Sequence, residues 1–282
     1  MSSEPIGILA GGGPFPLRLA HHARAAGRPV FVVVIKEFAD GTSYAGFPHE
    51  VVRLGAGGRI IALLRQHGVK QLVMSGAAKR ISPLSLMPDL WTAGMIARVG
   101  KATLMGDDNL LRAVTNVLEA EGFQVVSVNS LRADLMPASG LLAGPEPDAM
   151  ARHDIARGIG ILRAMAASDV GQSCVVQQGL VLGIEAIEGT DAMMQRAGAQ
   201  LREGPGGVLV KLSKPSQDPR LDMPTIGPVT VQNAIANGLR GIAIEAGRTV
   251  LTDREEAIAA AEAAGLFIIS IDPEAFLQEN PL

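Results

Sequence analysis

Ala25-Ala26-Gly27 precedes Val30-Phe31-Val32-Val33-Val34-Ile35: a helix-compatible stretch, a glycine that can close it at positive φ, and a run apolar at every position. The same order recurs at Gln66-His67-Gly68 before 72–74 and at Glu119-Ala120-Glu121-Gly122 before 125–128. It returns at Ala236-Asn237-Gly238 before Gly241–Glu245 and at Ala263-Ala264-Gly265 before Phe267–Ile271. Strands apolar on both faces need helices over both faces, which is the pattern of a largely parallel α/β sheet.

Between the third and fourth of these units lies 134–148, where Pro137, Gly140, Gly144, Pro145 and Pro147 disfavour a continued helix or a central strand. A linker is expected there, between a first domain over 1–133 and a second over 149–282. The second opens on a helix-like stretch, 153–166, and then Ser173–Gln177 and 180–185 flank Gln178-Gly179 as an antiparallel hairpin. That domain is therefore expected to be mixed α/β. With 282 residues and 48% hydrophobic content, the chain has enough apolar material for two cores.

Composition excludes several classes. A net charge of -3 with dispersed Lys and Arg provides no basic stripe, and one Trp and one Tyr give few stacking platforms, so nucleic acid is not an expected partner. The single cysteine, Cys174, forms no intrachain disulfide and no thiolate cluster, which points to the cytoplasm. Glu4 stands where a secretory signal carries positive charge. The longest aliphatic run, Val30–Ile35, is far short of the roughly 20 residues that cross a bilayer, so any membrane contact is expected to be peripheral. Nothing in the sequence decides against a homodimer.

Residues 6–16 read as a strand entering a glycine loop and then a helix. Gly11, Gly12 and Gly13 let backbone N–H groups approach a phosphate at the positive end of that helix. Pro16 occupies the third glycine position of G-x-G-x-x-G, so a tight structural turn competes with nucleotide binding. Glu37 falls near the position of a ribose-binding acid, which keeps a nicotinamide-dependent oxidoreductase as an alternative. Ser75-Gly76-Ala77-Ala78-Lys79-Arg80 follows another strand, and Lys79 or Arg80 there suits a diphosphate, against the plainer reading of a solvated loop. In Gly106-Asp107-Asp108 one acid is expected to cap the next helix.

The densest polar groups lie at two strand exits of the second half. Glu185, Glu188, Thr190 and Asp191 follow one strand, and Lys211, Lys214, Gln217, Asp218, Arg220 and Asp222 follow another. Pro215, Pro219 and Pro224 stiffen the second group, which lowers the cost of ordering its side chains around a ligand. The competing reading is a rigid surface loop with Asp–Arg pairing. The acids provide the oxygen donors that magnesium prefers. The histidines lack ligand spacing, Cys174 has no local His partner, and no G-x-S-x-G signature occurs. Residues 81–99, with Leu84, Leu86, Met87, Leu90, Trp91, Met95 and Ile96, read as a buried helix, although such residues also suit acyl chains.

Taken in order, these segments, together with 169–173 and 241–247, resemble the LpxI family of UDP-2,3-diacylglucosamine pyrophosphatases essentially from end to end. The resemblance implies a Rossmann-like N-terminal domain, a second domain, and substrate between them. It also implies hydrolysis of UDP-2,3-diacylglucosamine to 2,3-diacylglucosamine 1-phosphate (lipid X) and UMP in lipid A biosynthesis, with magnesium (Mg2+) as cofactor and water attacking the β-phosphate. On that basis Asp222, supported by Asp218, is expected to orient magnesium or the water, with Glu188 and Asp191 as further oxygen ligands. Lys214 and Arg220 are expected to stabilise the departing phosphate. Gly11, Gly12, Gly13, Gly76, Lys79, Gln217 and Thr190 are expected to contact the UDP-linked glycolipid. A non-catalytic carrier of the same lipid is the remaining alternative.

Overall fold

A computed structural model of the protein describes residues 4–77, 87–99, 107–131, 135–166, 168, 170–214, 218, 220 and 223–281. The chain divides into two compact units, Met1–Ala133 with Asp218–Asp222, and Asp134–Gln217 with Met223–Leu282. It thus leaves the second unit after Gln217, contributes a short segment to the first, and returns at Met223.

The first unit runs β1 (Ile6–Ala10), α1 (Phe15–Ala25), β2 (Val30–Ile35), β3 (His49–Val52), α2 (Gly57–Gln66), β4 (Gln71–Ser75), α3 (Leu90–Val99), α4 (Asp107–Ala120) and β5 (Gln124–Val125). All neighbours in the sheet are parallel, in the order β3-β2-β1-β4-β5, a doubly wound arrangement. Alternation along β2 shows why the run had to be apolar throughout. Phe31, Val33 and Ile35 pack with Ile60, Ile61 and Leu64 of α2 and Leu118 of α4. Val30, Val32 and Val34 face the opposite way, onto Leu19, Ala20 and Ala23 of α1. The five glycines of the recurring pattern, Gly27, Gly68, Gly122, Gly238 and Gly265, all lie at φ between +65° and +92°, the left-handed conformation in which glycine closes a helix without strain.

The second unit runs β6 (Gly140–Ala143), α5 (Ala149–Ala166), β7 (Ser173–Gln177), β8 (Leu180–Ile184), α6 (Thr190–Gly198), β9 (Val208–Lys211), β10 (Thr225–Ile226), α7 (Pro228–Ala236), β11 (Gly241–Glu245), β12 (Val250–Leu251), α8 (Arg254–Ala264), β13 (Phe267–Ile271) and α9 (Pro273–Glu279). The main sheet has the order β6-β13-β11-β9-β7-β8, while β10 and β12 form a separate parallel pair. Strands β9, β11 and β13 are parallel, whereas β6 and the β7–β8 hairpin are antiparallel additions at the two sides. Helices α6, α7 and α8 cover one face through Met193, Met194, Val231, Ala234, Ala257 and Ala261. Ile155, Ile159 and Leu162 of α5 and Phe276 of α9 cover the other.

Four local expectations shift. The segment 134–148 contains β6, which its glycines and prolines tolerate because it pairs on one side only, with β13. Helix α5 starts at Ala149 rather than 153, where Asp148 accepts the Ala151 N–H at 2.8 Å. The strand expected over 125–128 ends at Val125 and gives way to a 3-10 turn, Val128–Ser130. Of the helix expected over 81–99, the described part is α3, where Leu90 is 95% exposed and Trp91 packs partly into the core.

Candidate functional site

In the first sheet the chain order reverses between β1 and β4, and ligands of such sheets bind beyond the strand carboxyl ends at that reversal. The structure brings the two predicted glycine segments together there. Gly11 N–H donates to the Ser75 carbonyl at 2.8 Å, Gly12 N–H to the Ala77 carbonyl at 2.8 Å, and Ala77 N–H back to the Gly12 carbonyl at 2.8 Å. A Cβ at Gly11 would stand 2.8 Å from the Ala77 oxygen, and one at Gly76 2.7 Å from the Gly12 oxygen, so these glycines allow two backbones to touch. Gly11 and Gly12 therefore have their N–H groups engaged within the protein, while Gly13 is exposed at φ +87° with open space beside it. Pro14 and Pro16 bring no N–H to the start of α1. Beside this junction the Ser75 hydroxyl, on a residue 9% exposed, has no hydrogen-bond partner among the described residues. Lys79 lies outside the described residues. Glu37 accepts the Leu54 N–H at 3.0 Å, which engages the acid that an oxidoreductase would turn toward a ribose. An open cavity of about 800 Å3 beside β3, lined by Lys36, Asp40, Thr42 and His49 among others, contains none of the predicted site residues.

Asp218 and Arg220 also belong to the first unit. Asp218 Oδ1 accepts the Arg220 backbone N–H and Nε, each at 3.0 Å, and Oδ2 accepts Nη2 at 2.7 Å. Arg220 Nη1 donates to Glu119 Oε1 of α4 at 2.7 Å. The Arg220 side chain holds the Asp218 carboxyl below its ordinary value, and Asp218 in turn raises Arg220. The Asp–Arg pairing weighed from the sequence is thus present, and it fixes the guanidinium from two sides. Gln217 and Asp222 lie outside the described residues, and Lys214 is half-buried at the exit of β9.

The second unit gathers its own polar cluster at the carboxyl ends of β9 and β11. Ser173 is in register with Lys211, and the Glu185 N–H donates to the Ser173 carbonyl at 2.9 Å. Glu185, Ser173 and Lys211 therefore form a row across β8, β7 and β9, being 9%, 0% and 6% exposed. Ser173 Oγ donates to Glu185 Oε2 at 2.7 Å, and Thr190 Oγ1, from the first turn of α6, donates to Glu185 Oε1 at 2.9 Å. Lys211 Nζ donates to Thr190 Oγ1 at 2.7 Å. A Cβ at Gly171, where φ is +52°, would lie 1.9 Å from the Glu185 carbonyl oxygen, so only glycine admits this approach. Next to the row, Ser213 donates through N–H and Oγ to Glu245 Oε2 at 2.8 and 2.6 Å.

Two of the predicted metal ligands do not join this cluster. Glu188 accepts Arg196 at 2.7 Å, and its own backbone N–H followed by Arg196 holds its carboxyl below the ordinary value. Asp191 is exposed in the first turn of α6, where an acid offsets the helix dipole. Among the described residues no three His, Cys, Asp or Glu side chains converge. Cys174 is fully buried in β7 and burial pushes its thiol up to about 12, which suits a structural residue.

Two family models match the chain, the LpxI N-terminal domain over residues 5–135 and the LpxI C-terminal domain over 138–269. A curated relative from Caulobacter vibrioides, UDP-2,3-diacylglucosamine pyrophosphatase LpxI, is 39% identical over 98% of this chain and 99% of its own length. The chain belongs to the LpxI family. The LpxI C-terminal model spans the Glu185–Ser173–Lys211 row and residues 214–222, and the LpxI N-terminal model spans both glycine segments. Among solved structures, the precorrin-6A reductase CobK is 12% identical over 99% of this chain and 97% of its own, with a TM-score of 0.33, too low to bear on fold or activity.

Within this LpxI chain, Ser173 and Glu245 fall in the segments 169–173 and 241–247 that carry the resemblance, but sequence reasoning gave neither a role. Their signal was faint: Ser173 opens a strand that also ends on a polar residue, Gln177, and Glu245 is the lone polar side chain at the end of β11. Among the described residues no helix is long and apolar enough to cross a membrane.

Proposed function

We propose that the chain hydrolyses UDP-2,3-diacylglucosamine to 2,3-diacylglucosamine 1-phosphate and UMP in lipid A biosynthesis, in the cytoplasm and with peripheral contact to the inner membrane that holds its lipid substrate. One observation carries the reading: near full-length identity of 39% to a protein named for that pyrophosphatase activity. Water forms the new bond to the β-phosphorus, the bridging oxygen leaves with the phosphate of UMP, and the protons of the water pass to solvent.

Magnesium is the proposed cofactor. It takes oxygen donors and commonly uses one or two carboxylates together with substrate phosphate oxygens and water, so the proposed acids fit it by chemistry. Because Asp218 and Glu188 already accept from arginines, the ion is assigned chiefly to Asp222, with Asp218, Glu188 and Asp191 as supporting oxygens. A bound ion would supply Lewis acidity toward the phosphate oxygens. Arg220, held between Asp218 and Glu119, keeps a fixed positive charge, and with Lys214 it is assigned to the departing phosphate. Gly13, Gly76, Lys79, Gln217 and Thr190 are assigned to substrate contact, while Gly11 and Gly12 shape the loop that presents Gly13.

The test is direct. Purified protein incubated with UDP-2,3-diacylglucosamine is expected to release UMP with magnesium and not with excess chelator. Asp222→Ala is expected to lower turnover at least about 100-fold while leaving the fold intact. In oxygen-18 water the label is expected in the sugar phosphate. Label in UMP would move the attack to the other phosphorus, and intact substrate after long incubation would favour a carrier.

A further inference from the structure

The Glu185–Ser173–Lys211 row raises a question of cost. An ammonium and a carboxylate lie in one buried row, and replacing such a pair by apolar side chains of similar size is commonly neutral or stabilising. Stability does not explain it. The hydrogen bonds along it, in contrast, form one connected series. The Ser173 and Thr190 hydroxyls both donate to the Glu185 carboxyl group, one to each oxygen. Thr190 Oγ1 then has only lone pairs to offer Lys211 Nζ, which donates to it at 2.7 Å. The acid therefore fixes the hydroxyl, and the hydroxyl fixes the ammonium.

Lys211 is the last residue of β9, at the carboxyl end of the parallel strands of its sheet, which is where ligands of α/β sheets bind. It lies on the α6 face, the face of Leu209, and Gly171 lets the backbone close over Glu185 behind it. A compact ammonium on a flexible stem is a point-charge partner for phosphate, and pinning it before substrate arrives removes reorganisation from the reaction.

We infer that Lys211 is a catalytic residue donating to a phosphate oxygen of the substrate, and that Glu185, acting through Thr190, is the positioning residue that aims it. This rests on the proposed diphosphate hydrolysis, which did not use Lys211 or Glu185.

The experiment compares Lys211→Met, Thr190→Val and Thr190→Ser with wild type by melting temperature, by turnover of UDP-2,3-diacylglucosamine, and by calorimetric titration with inorganic pyrophosphate and magnesium. Lys211→Met is expected to lose at least about 100-fold in turnover, the scale of removing one preorganised donor, and to weaken pyrophosphate binding. Thr190→Val is expected to fold cooperatively with a lower melting temperature, because Glu185 and Lys211 each lose a buried partner. It is also expected to lose about tenfold in turnover together with pyrophosphate affinity, the scale on which orienting partners act, and Thr190→Ser to recover most of each loss. Should Lys211→Met fail to fold, Glu185→Gln, which leaves the Thr190 side chain in place, is read together with the Thr190 pair and is expected to show the same turnover loss as Thr190→Val. Wild-type turnover in folded Lys211→Met, or in Thr190→Val if the former is unfolded, overturns the inference. Wild type that binds pyrophosphate through Lys211 without cleaving the lipid overturns the proposed function and keeps the Lys211 site. Wild type that neither binds nor cleaves overturns both.

Discussion

Thr249 is fully buried, and its hydroxyl has no partner among the described residues. A buried donor left without an acceptor costs about 1–3 kcal/mol, and valine has nearly the same shape. Thr249→Val is therefore expected to stabilise the protein by about 1 kcal/mol, read as a higher urea midpoint at unchanged slope. A lower midpoint would reveal a partner for the hydroxyl. Asp218 carries the opposite kind of information. Arg220 holds its carboxyl below the ordinary 3.8, so its stabilising effect is complete above the unfolded value and disappears as pH falls through the lower folded value. An NMR titration following Asp218 is expected to give a midpoint below 3.8, and Arg220→Gln to raise it.

At the scale of elements, the β7–β8 hairpin depends on a helix outside it. Asp154 of α5, 1% exposed, accepts the N–H groups of Gln178 at 3.0 Å and Gly179 at 2.7 Å, where the turn has φ of +52° and +77°. Asp154→Ala would leave both donors without an acceptor, and a loss of about 2–4 kcal/mol is expected, with faster hydrogen exchange at Gln178 and Gly179. The hairpin itself was readable because Gln178-Gly179 announces a turn locally; its anchor was not, since Asp154 is 24 residues upstream of Gln178. The same division holds elsewhere. Helix, glycine and strand succeed one another within a few residues around Gly27, Gly68, Gly238 and Gly265, so those units could be read directly. Strands β3, β5 and β6 are short edges, shaped by one neighbour rather than by their own pattern. In the site, Glu185, Thr190 and Lys211 stood out as polar residues leaving apolar strands. Ser173 did not, because its part follows from a register with Lys211 that only the folded sheet creates.

For the molecule as a whole, each of the four hydrophobic clusters found among the described residues draws on one unit: two from residues 6–131 and two from residues 143–277. Residues 134–282 expressed alone are accordingly expected to keep the β6-to-β8 sheet, measured as protected amides in β9, β11 and β13 and a cooperative melt. Absence of protection there would show that the second core depends on the first. In such a fragment Arg220 would lack Glu119. That single bond has a consequence for engineering and for inheritance alike. Five residues of the N-terminal body, Asp218–Asp222, are encoded deep inside the C-terminal half. The two halves are thus not interchangeable cassettes: a chimaera joined near residue 134 would import a foreign loop into its own first domain, and would have to match Arg220 to whatever stands at position 119.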